Sequence, residues 1–221
     1  MERVEQLRLL KGLINHLDLN TNINAGGIIK TPADTYISEE RFDREWNTFF
    51  LNHPQIIGLS GDLPKPNSFV TTEDFGVPIL AVRDDTGEFK AYANVCPHRG
   101  VTIESSRKGE KSKFSCPFHG WTFNNEGNLI GYPKKEQFGE IDKDCYGLKE
   151  LPAIEKFGFL WVHPKRDGNI DLDELLGKEL QAEFDAWNFQ SLVFANEDLY
   201  FTDMNWKLAI DTFGETYHFS V

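Results

Sequence analysis

Cysteine is scarce in this chain, with three among 221 residues. That is too few for a disulfide framework, so a small cross-linked secreted scaffold is excluded and the cytoplasm is the default expectation. Positive charge is short as well. Lys and Arg total 23 against 35 Asp and Glu, a formal net charge of -12. Such a chain is a poor general binder of phosphate backbones, and no nucleic-acid partner is expected. Long apolar runs are missing too. No stretch approaches the roughly 18 residues of a membrane-spanning helix. The opening "MERVEQLRLLKGLINHLD" is charged from its second residue and lacks an apolar segment followed by small residues, so it does not read as a secretory signal.

What is present supports a packed core: 40% of the residues are hydrophobic and 13% aromatic, which argues against disorder. Val4, Leu7, Leu10, Ile14 and Leu17 recur at helical spacing and predict an amphipathic helix docked on the protein. Attachment to a membrane surface is disfavoured, because acidic and basic residues mix on its polar face. A second helix is expected from Ser38, an N-cap followed by Glu39, Glu40 and "RFDREWNTFF".

From about Gln55 the texture changes. "FVTTEDF", "VPILAVRDD" and "FKAYANVC" have the β-branched and aromatic content of strands, with "DDTGE" closing a hairpin. "KFSC", "WTFNNEGNLIGY" and "GFLWVHP" continue the pattern, the middle one folding back at Asn125-Glu126-Gly127. Residues 45–165 are therefore expected to form a small antiparallel β domain behind amino-terminal helices in 1–44. Residues 166–221 read as the incomplete start of another domain. There, "KRDGNIDLDELLGKELQAEFDAW" is a polar connection into a helix, "SLVFANEDLYFTDM" a fresh strand, and "NWKLAIDTFGETYHF" a further helix.

Two of the three cysteines fall in matching loops. "CPHRG" supplies Cys96 and His98, and "CPFHGW" supplies Cys116 and His119. A zinc finger usually pairs like ligands within each turn; here each loop offers one sulfur and one nitrogen. That mixture suits a binuclear centre in which one iron takes both thiolates and the other both imidazoles, with the loops clamping it between them. A single zinc ion on the same four residues is the alternative. Pro97, Gly100, Pro117 and Gly120 fit the tight turns required. Cys145, His16, His53 and His163 stand alone and carry no such pattern.

Near the end, Asp211, Glu215 and His218 are spaced i, i+4 and i+7, on one face of a helix. By spacing alone an ordinary amphipathic helix is the better reading. Between the two loops, "RGVTIESSRKGEKSKFS" holds five basic residues against two acidic ones. A solvated loop is the simpler reading of it, a docking patch for an acidic redox partner the sharper one.

The two loop motifs resemble the [2Fe-2S] cluster motif of Rieske proteins. Respiratory-chain Rieske proteins carry an additional cysteine in each loop; here Val101 and Phe118 stand at those places, which leaves Rieske ferredoxins and Rieske non-haem iron oxygenases. "NWKLAIDTFGETYHF" is similar to the stretch that opens the catalytic domain of the α (large) subunits of such aromatic-ring-hydroxylating oxygenases. The resemblance implies an antiparallel β-sandwich cluster domain followed by an α+β, helix-grip catalytic domain. It implies a cluster held by Cys96, His98, Cys116 and His119, and a mononuclear Fe(II) with His218 as its first ligand. Glu215 would link that iron to a neighbouring subunit's cluster, and Asp211 would line the active site. It further implies electrons from NAD(P)H through a partner reductase, at times through a ferredoxin. They would drive O₂ activation and the hydroxylation or demethylation of a small organic substrate in a homotrimer. Ligands beyond His218 are absent from this sequence, so this chain is expected to be incomplete as a mono- or dioxygenase. The alternatives are an electron carrier of Rieske ferredoxin type and a zinc-bound structural module.

Overall fold

The structure is a computed structural model and describes residues 2–22, 26–139 and 141–214. The polypeptide divides into two compact units, one containing the residues up to 42 together with those from 201 onward, the other residues 43–200. In the first, α1 (Arg3–Leu19) forms where the apolar periodicity predicts it. None of its residues is buried, however, and Leu7, Leu10, Ile14 and Leu17 all stand exposed. After α2 (Asp34–Ile37) comes α3 (Glu39–Glu45), where the Ser38 hydroxyl accepts from the Arg41 amide at 3.2 Å. This is the N-cap the sequence announces, since it satisfies one of the helix's open backbone donors. The helix widens into a π-type turn over Trp46–Leu51.

The sheets of the second unit are antiparallel. Its strands are β1 (Gln55–Leu59), β2 (Ser68–Thr72), β3 (Ile79–Arg83), β4 (Phe89–Ala93), β5 (Lys108–Glu110) and β6 (Lys113–Ser115). They continue as β7 (Thr122–Asn124), β8 (Leu129–Gly131), β9 (Glu150–Leu151), β10 (Ala153–Lys156) and β11 (Phe159–Val162). Three sheets result, ordered β1-β11-β10, β5-β2-β3-β4-β9 and β6-β7-β8.

Strand β3 shows why the layers stack. It lies at the centre of the five-stranded sheet and is apolar on both faces, which is how a strand covered on both sides reads. Because side chains alternate, Ile79 and Ala81 enter a core with Leu63, Phe89, Leu160 and Val162. Leu80 and Val82 enter a second core with Phe69, Phe114, Trp121, Phe123 and both Cys96 and Cys116. The first core joins the five-stranded sheet to β1-β11-β10. The second joins it to β6-β7-β8 and carries the two thiols.

The turn signals are realised. In the β3–β4 hairpin Gly87 has φ +87° and its amide donates to the Asp84 carbonyl at 3.0 Å. In the β7–β8 hairpin Gly127 has φ +79°, and the short helix α4 (Lys135–Phe138) follows β8. The polar run before α5 (Leu172–Trp187) ends in Asp171, whose carboxylate accepts from the amides of Asp173 and Glu174. Phe184 on α5 and Phe189 just beyond it pack against Phe159 at ring distances of 5.1 and 4.8 Å.

One expected element is missing. Residues 192–205 form no strand, although "SLVFANEDLYFTDM" has strand composition. An extended segment becomes a strand only when its backbone donors and acceptors pair with a neighbouring one, and no described strand pairs with this segment, although Lys108 of β5 reaches Phe194 and Glu197 in it. α6 (Trp206–Gly214) then forms as expected. No described helix is long and apolar enough to cross a membrane.

Candidate metal centre

Strand β4 runs almost directly into the first Cys/His loop, and β6 and β7 hold the second between them. The two loops are built alike. Val95 and Thr102 bridge across the base of the first, as Ser115 and Thr122 pair across the base of the second. The Cys96 amide donates to the Val101 carbonyl at 2.8 Å, and the Cys116 amide to the Trp121 carbonyl at 2.8 Å. The Gly100 and Gly120 amides donate to the Cys96 and Cys116 carbonyls, each at 2.9 Å. Both glycines have positive φ, +73° and +69°, which explains their place in each motif. The loops differ in one respect: His98 is the third residue of its loop, whereas His119 is the fourth of its own.

This construction sorts the quartet by chemistry. Cys96 and Cys116 are 2% and 3% exposed and lie together in the second core. The imidazoles of His98 and His119 are half-buried neighbours, with ring centroids 4.8 Å apart. Sulfur therefore sits beside sulfur and nitrogen beside nitrogen, although each loop contributed one of each. Among the described residues no three His, Cys, Asp or Glu side chains gather so as to hold a single metal ion. The quartet forms two pairs, the arrangement a two-iron centre of mixed ligation needs.

The electrostatics suit the same use. Burial pushes the Cys96 thiol above its ordinary pKa, as does the neighbouring Cys116, while hydrogen bonds from the His98 and Arg99 amides to the sulfur pull the other way. Those amides are ready to stabilise a metal-bound thiolate. Burial, then the charges of His119 and Arg99, lower the pKa of His98 and favour the neutral imidazole that can act as a ligand. His119 Nδ1 is buried with no hydrogen-bond partner. Native proteins rarely leave such an atom unsatisfied, and a metal is an apt acceptor for its lone pair. The residues present therefore fit a [2Fe-2S] cluster of this ligation.

An aromatic collar surrounds the imidazoles. Trp121 stacks on His98 at 4.9 Å with an interplanar angle of 3°, and the Phe118 ring lies 3.8 Å from His119. Tyr132, Phe138 and Tyr146 pack around Trp121 at 5.5–5.9 Å. None of these aromatics was singled out by motif spacing; the Trp directly following His119-Gly120 was the available signal. The basic interval between the loops is largely neutralised. Arg107 pairs with Glu197 at 2.8 Å, Lys108 lies 3.6 Å from Glu197 and 3.8 Å from Asp62, and Lys111 pairs with the buried Glu104. A solvated loop whose cations pair with carboxylates inside and outside it is what the geometry supports. Cys145 is exposed and bonded to Asp142, apart from the thiol pair.

Residues 53–153 match the sequence profile of the Rieske [2Fe-2S] domain. The chain carries a Rieske domain. It is also similar to oxygenase α subunits of the Rieske type. It is 30% identical over 202 residues to the toluate 1,2-dioxygenase subunit alpha of Pseudomonas putida, covering 88% of this chain and 44% of the relative. It is 28% identical over 187 residues to the carnitine monooxygenase oxygenase subunit of Acinetobacter baumannii, covering 85% and 50%. A crystal structure of the quaternary ammonium Rieske monooxygenase CntA with γ-butyrobetaine superimposes with a TM-score of 0.74 at 26% identity, over 85% of this chain and 54% of that one. The chain thus spans about half the length of the curated relatives it matches.

Of the residues expected at a second iron, Glu215 and His218 lie outside the described residues. Asp211 is on α6 and exposed; it accepts a hydrogen bond from the Tyr36 hydroxyl at 2.6 Å. That contact raises the Tyr36 pKa. The Asn205 side chain donates to the Tyr36 carbonyl at 3.0 Å, so Tyr36 is held at both ends by the segment around α6.

Proposed function

We propose that this chain is the electron-delivering portion of a Rieske oxygenase α subunit. The observation that carries the reading is the pairing of thiol with thiol and imidazole with imidazole on two loops of the same construction. A bound [2Fe-2S] cluster would supply one-electron transfer. Cys96 and Cys116 would hold it on the core side, where they are shielded from water. His98 and His119 would hold it on the surface side, where a redox partner can approach their ring edges. The protein's part is to fix these four groups and to control access, while the redox chemistry belongs to the metals.

In the complete enzyme, electrons would come from NAD(P)H through a reductase, at times through a ferredoxin. They would go to a mononuclear Fe(II) at which O₂ is activated to hydroxylate or demethylate an organic substrate. On this reading 45–165 is the cluster domain and 166–221 the beginning of the catalytic domain. His218 would be the first ligand of the second iron, Glu215 would link the two metal sites across subunits of a trimer, and Asp211 would line the pocket. The extent of the likeness, 85–88% of the chain, supports this over a carrier-only protein, since it reaches well past residues 53–153.

The test is to replace His98 or His119 with Cys. Iron should be retained, while the cluster potential falls toward the roughly -400 mV of all-cysteine clusters of the plant ferredoxin type. An unchanged potential in both variants would refute the ligand assignment.

A further inference from the structure

Two of the buried polar atoms left without partners belong to residues two positions apart: His119 Nδ1, assigned above to the metal, and Trp121 Nε1. The second is unexplained by the ligand set. Trp121 is 2% exposed, and the rings around it are those of His98, Tyr132, Phe138 and Tyr146. An indole N–H is a donor only, and leaving one buried without an acceptor is costly. Its backbone is already committed, because the Trp121 carbonyl closes the second loop by accepting from Cys116. The side chain crosses to the other loop, where it lies parallel to the His98 ring. It therefore touches one expected ligand through its π face and is tied to another through its main chain.

We propose that Trp121 is a positioning residue of the cluster site: its ring fixes the plane of His98, and its Nε1–H is held for a sulfur of the bound [2Fe-2S] group. This rests on the ligand reading above. A hydrogen bond to cluster sulfur is stronger when the cluster carries the extra electron, so it favours the reduced state and raises the potential. Trp121 thus acts on the redox poise of the centre without binding metal. The competing use of the N–H is a contact with the face of the Tyr146 ring, whose plane is 75° to the indole.

The experiment compares the anaerobically reconstituted protein with its Trp121→Phe variant, which keeps a stacking ring and loses the donor. The expected result is unchanged iron and sulfide content with a reduced-to-oxidised ratio about tenfold lower at fixed ambient potential, a shift of about 59 mV for one electron. An unchanged potential would overturn the proposal and leave Trp121 as packing alone. Should the variant fail to fold, wild-type protein carrying ¹⁵N at its indole nitrogens serves instead. Pulsed electron paramagnetic resonance of the reduced state should show two strongly coupled imidazole nitrogens and one weakly coupled indole nitrogen. Imidazole couplings without the indole coupling would overturn the role of Trp121 alone. Absence of the imidazole couplings would instead refute the ligand reading on which it rests.

Discussion

Asp84 opens the hairpin that delivers β4 to the Cys96 loop, and replacing it with Asn should be costly in a pH-dependent way. The side chain is 2% exposed. Its Oδ1 accepts from the Thr86 amide at 2.9 Å, the Thr86 hydroxyl at 2.7 Å and the Glu88 amide at 2.9 Å. Its Oδ2 lies 3.1 Å from the Lys90 ammonium. Burial alone would raise the pKa of such a carboxyl, but these donors outweigh it and hold the value at about 2 against a usual 3.8. An Asn can keep the three bonds to its oxygen, yet it turns an NH₂ toward Lys90 and loses the charge. At about 1.4 kcal/mol per tenfold change in proton affinity, the ionised form contributes roughly 2.4 kcal/mol at neutral pH. The folded pKa is the depressed one, so this stability is present above about pH 4 and fades as the pH falls toward 2; at pH 3 about half, roughly 1.3 kcal/mol, remains. Urea unfolding of wild type and Asp84→Asn at pH 7, 4 and 3 measures it, and the thermal midpoint at pH 7 should drop by roughly 5–10 °C. Equal stabilities at pH 7, or a difference that stays constant down to pH 3, would refute the reasoning.

Other substitutions probe the frame around the centre. Gly127→Ala should destabilise by about 3 kcal/mol in chemical denaturation, since φ is +79° and the new Cβ would lie 2.5 Å from the Tyr92 ring; a change under about 0.5 kcal/mol would mean that the ring moves freely. Arg83→Ala removes a two-point pairing with Glu155, at 2.9 and 3.0 Å, and a bond to the Leu63 carbonyl, and should cost about 2 kcal/mol. Glu155 is held below its ordinary pKa because its paired bonds to Arg83 outweigh its burial, so that penalty should shrink as the pH falls through the carboxylate range. Cys96→Ser and Cys116→Ser should each abolish retention of iron and sulfide, whereas Cys145→Ser should leave both at the wild-type level when assayed side by side.

The candidate centre was legible because its signal is local. Four ligands of two types at fixed spacing, each pair in a loop with its own Pro and Gly, identify the site before any contact is known. Hairpins announced by "DDTGE" and "NNEGN" were legible for the same reason. What escaped depends on chain segments far apart. The apolar run Ile79–Val82 cannot say which residues face which core, since both faces are covered. The five basic residues between the loops looked like a patch because Asp62 and Glu197, which neutralise two of them, are distant in sequence. The stacking of Trp121 on His98 joins two different loops. Residues 192–205 misled for a physical reason as well: composition favours an extended chain, but only a neighbouring strand makes it a sheet.

The central claim is that Cys96, Cys116, His98 and His119 together hold a two-iron, two-sulfide centre. The most direct measurement is metal and acid-labile sulfide per chain on protein purified without air. The account predicts about two irons and about two sulfides from the described centre. A single zinc ion per chain, or iron with no labile sulfide, would contradict it.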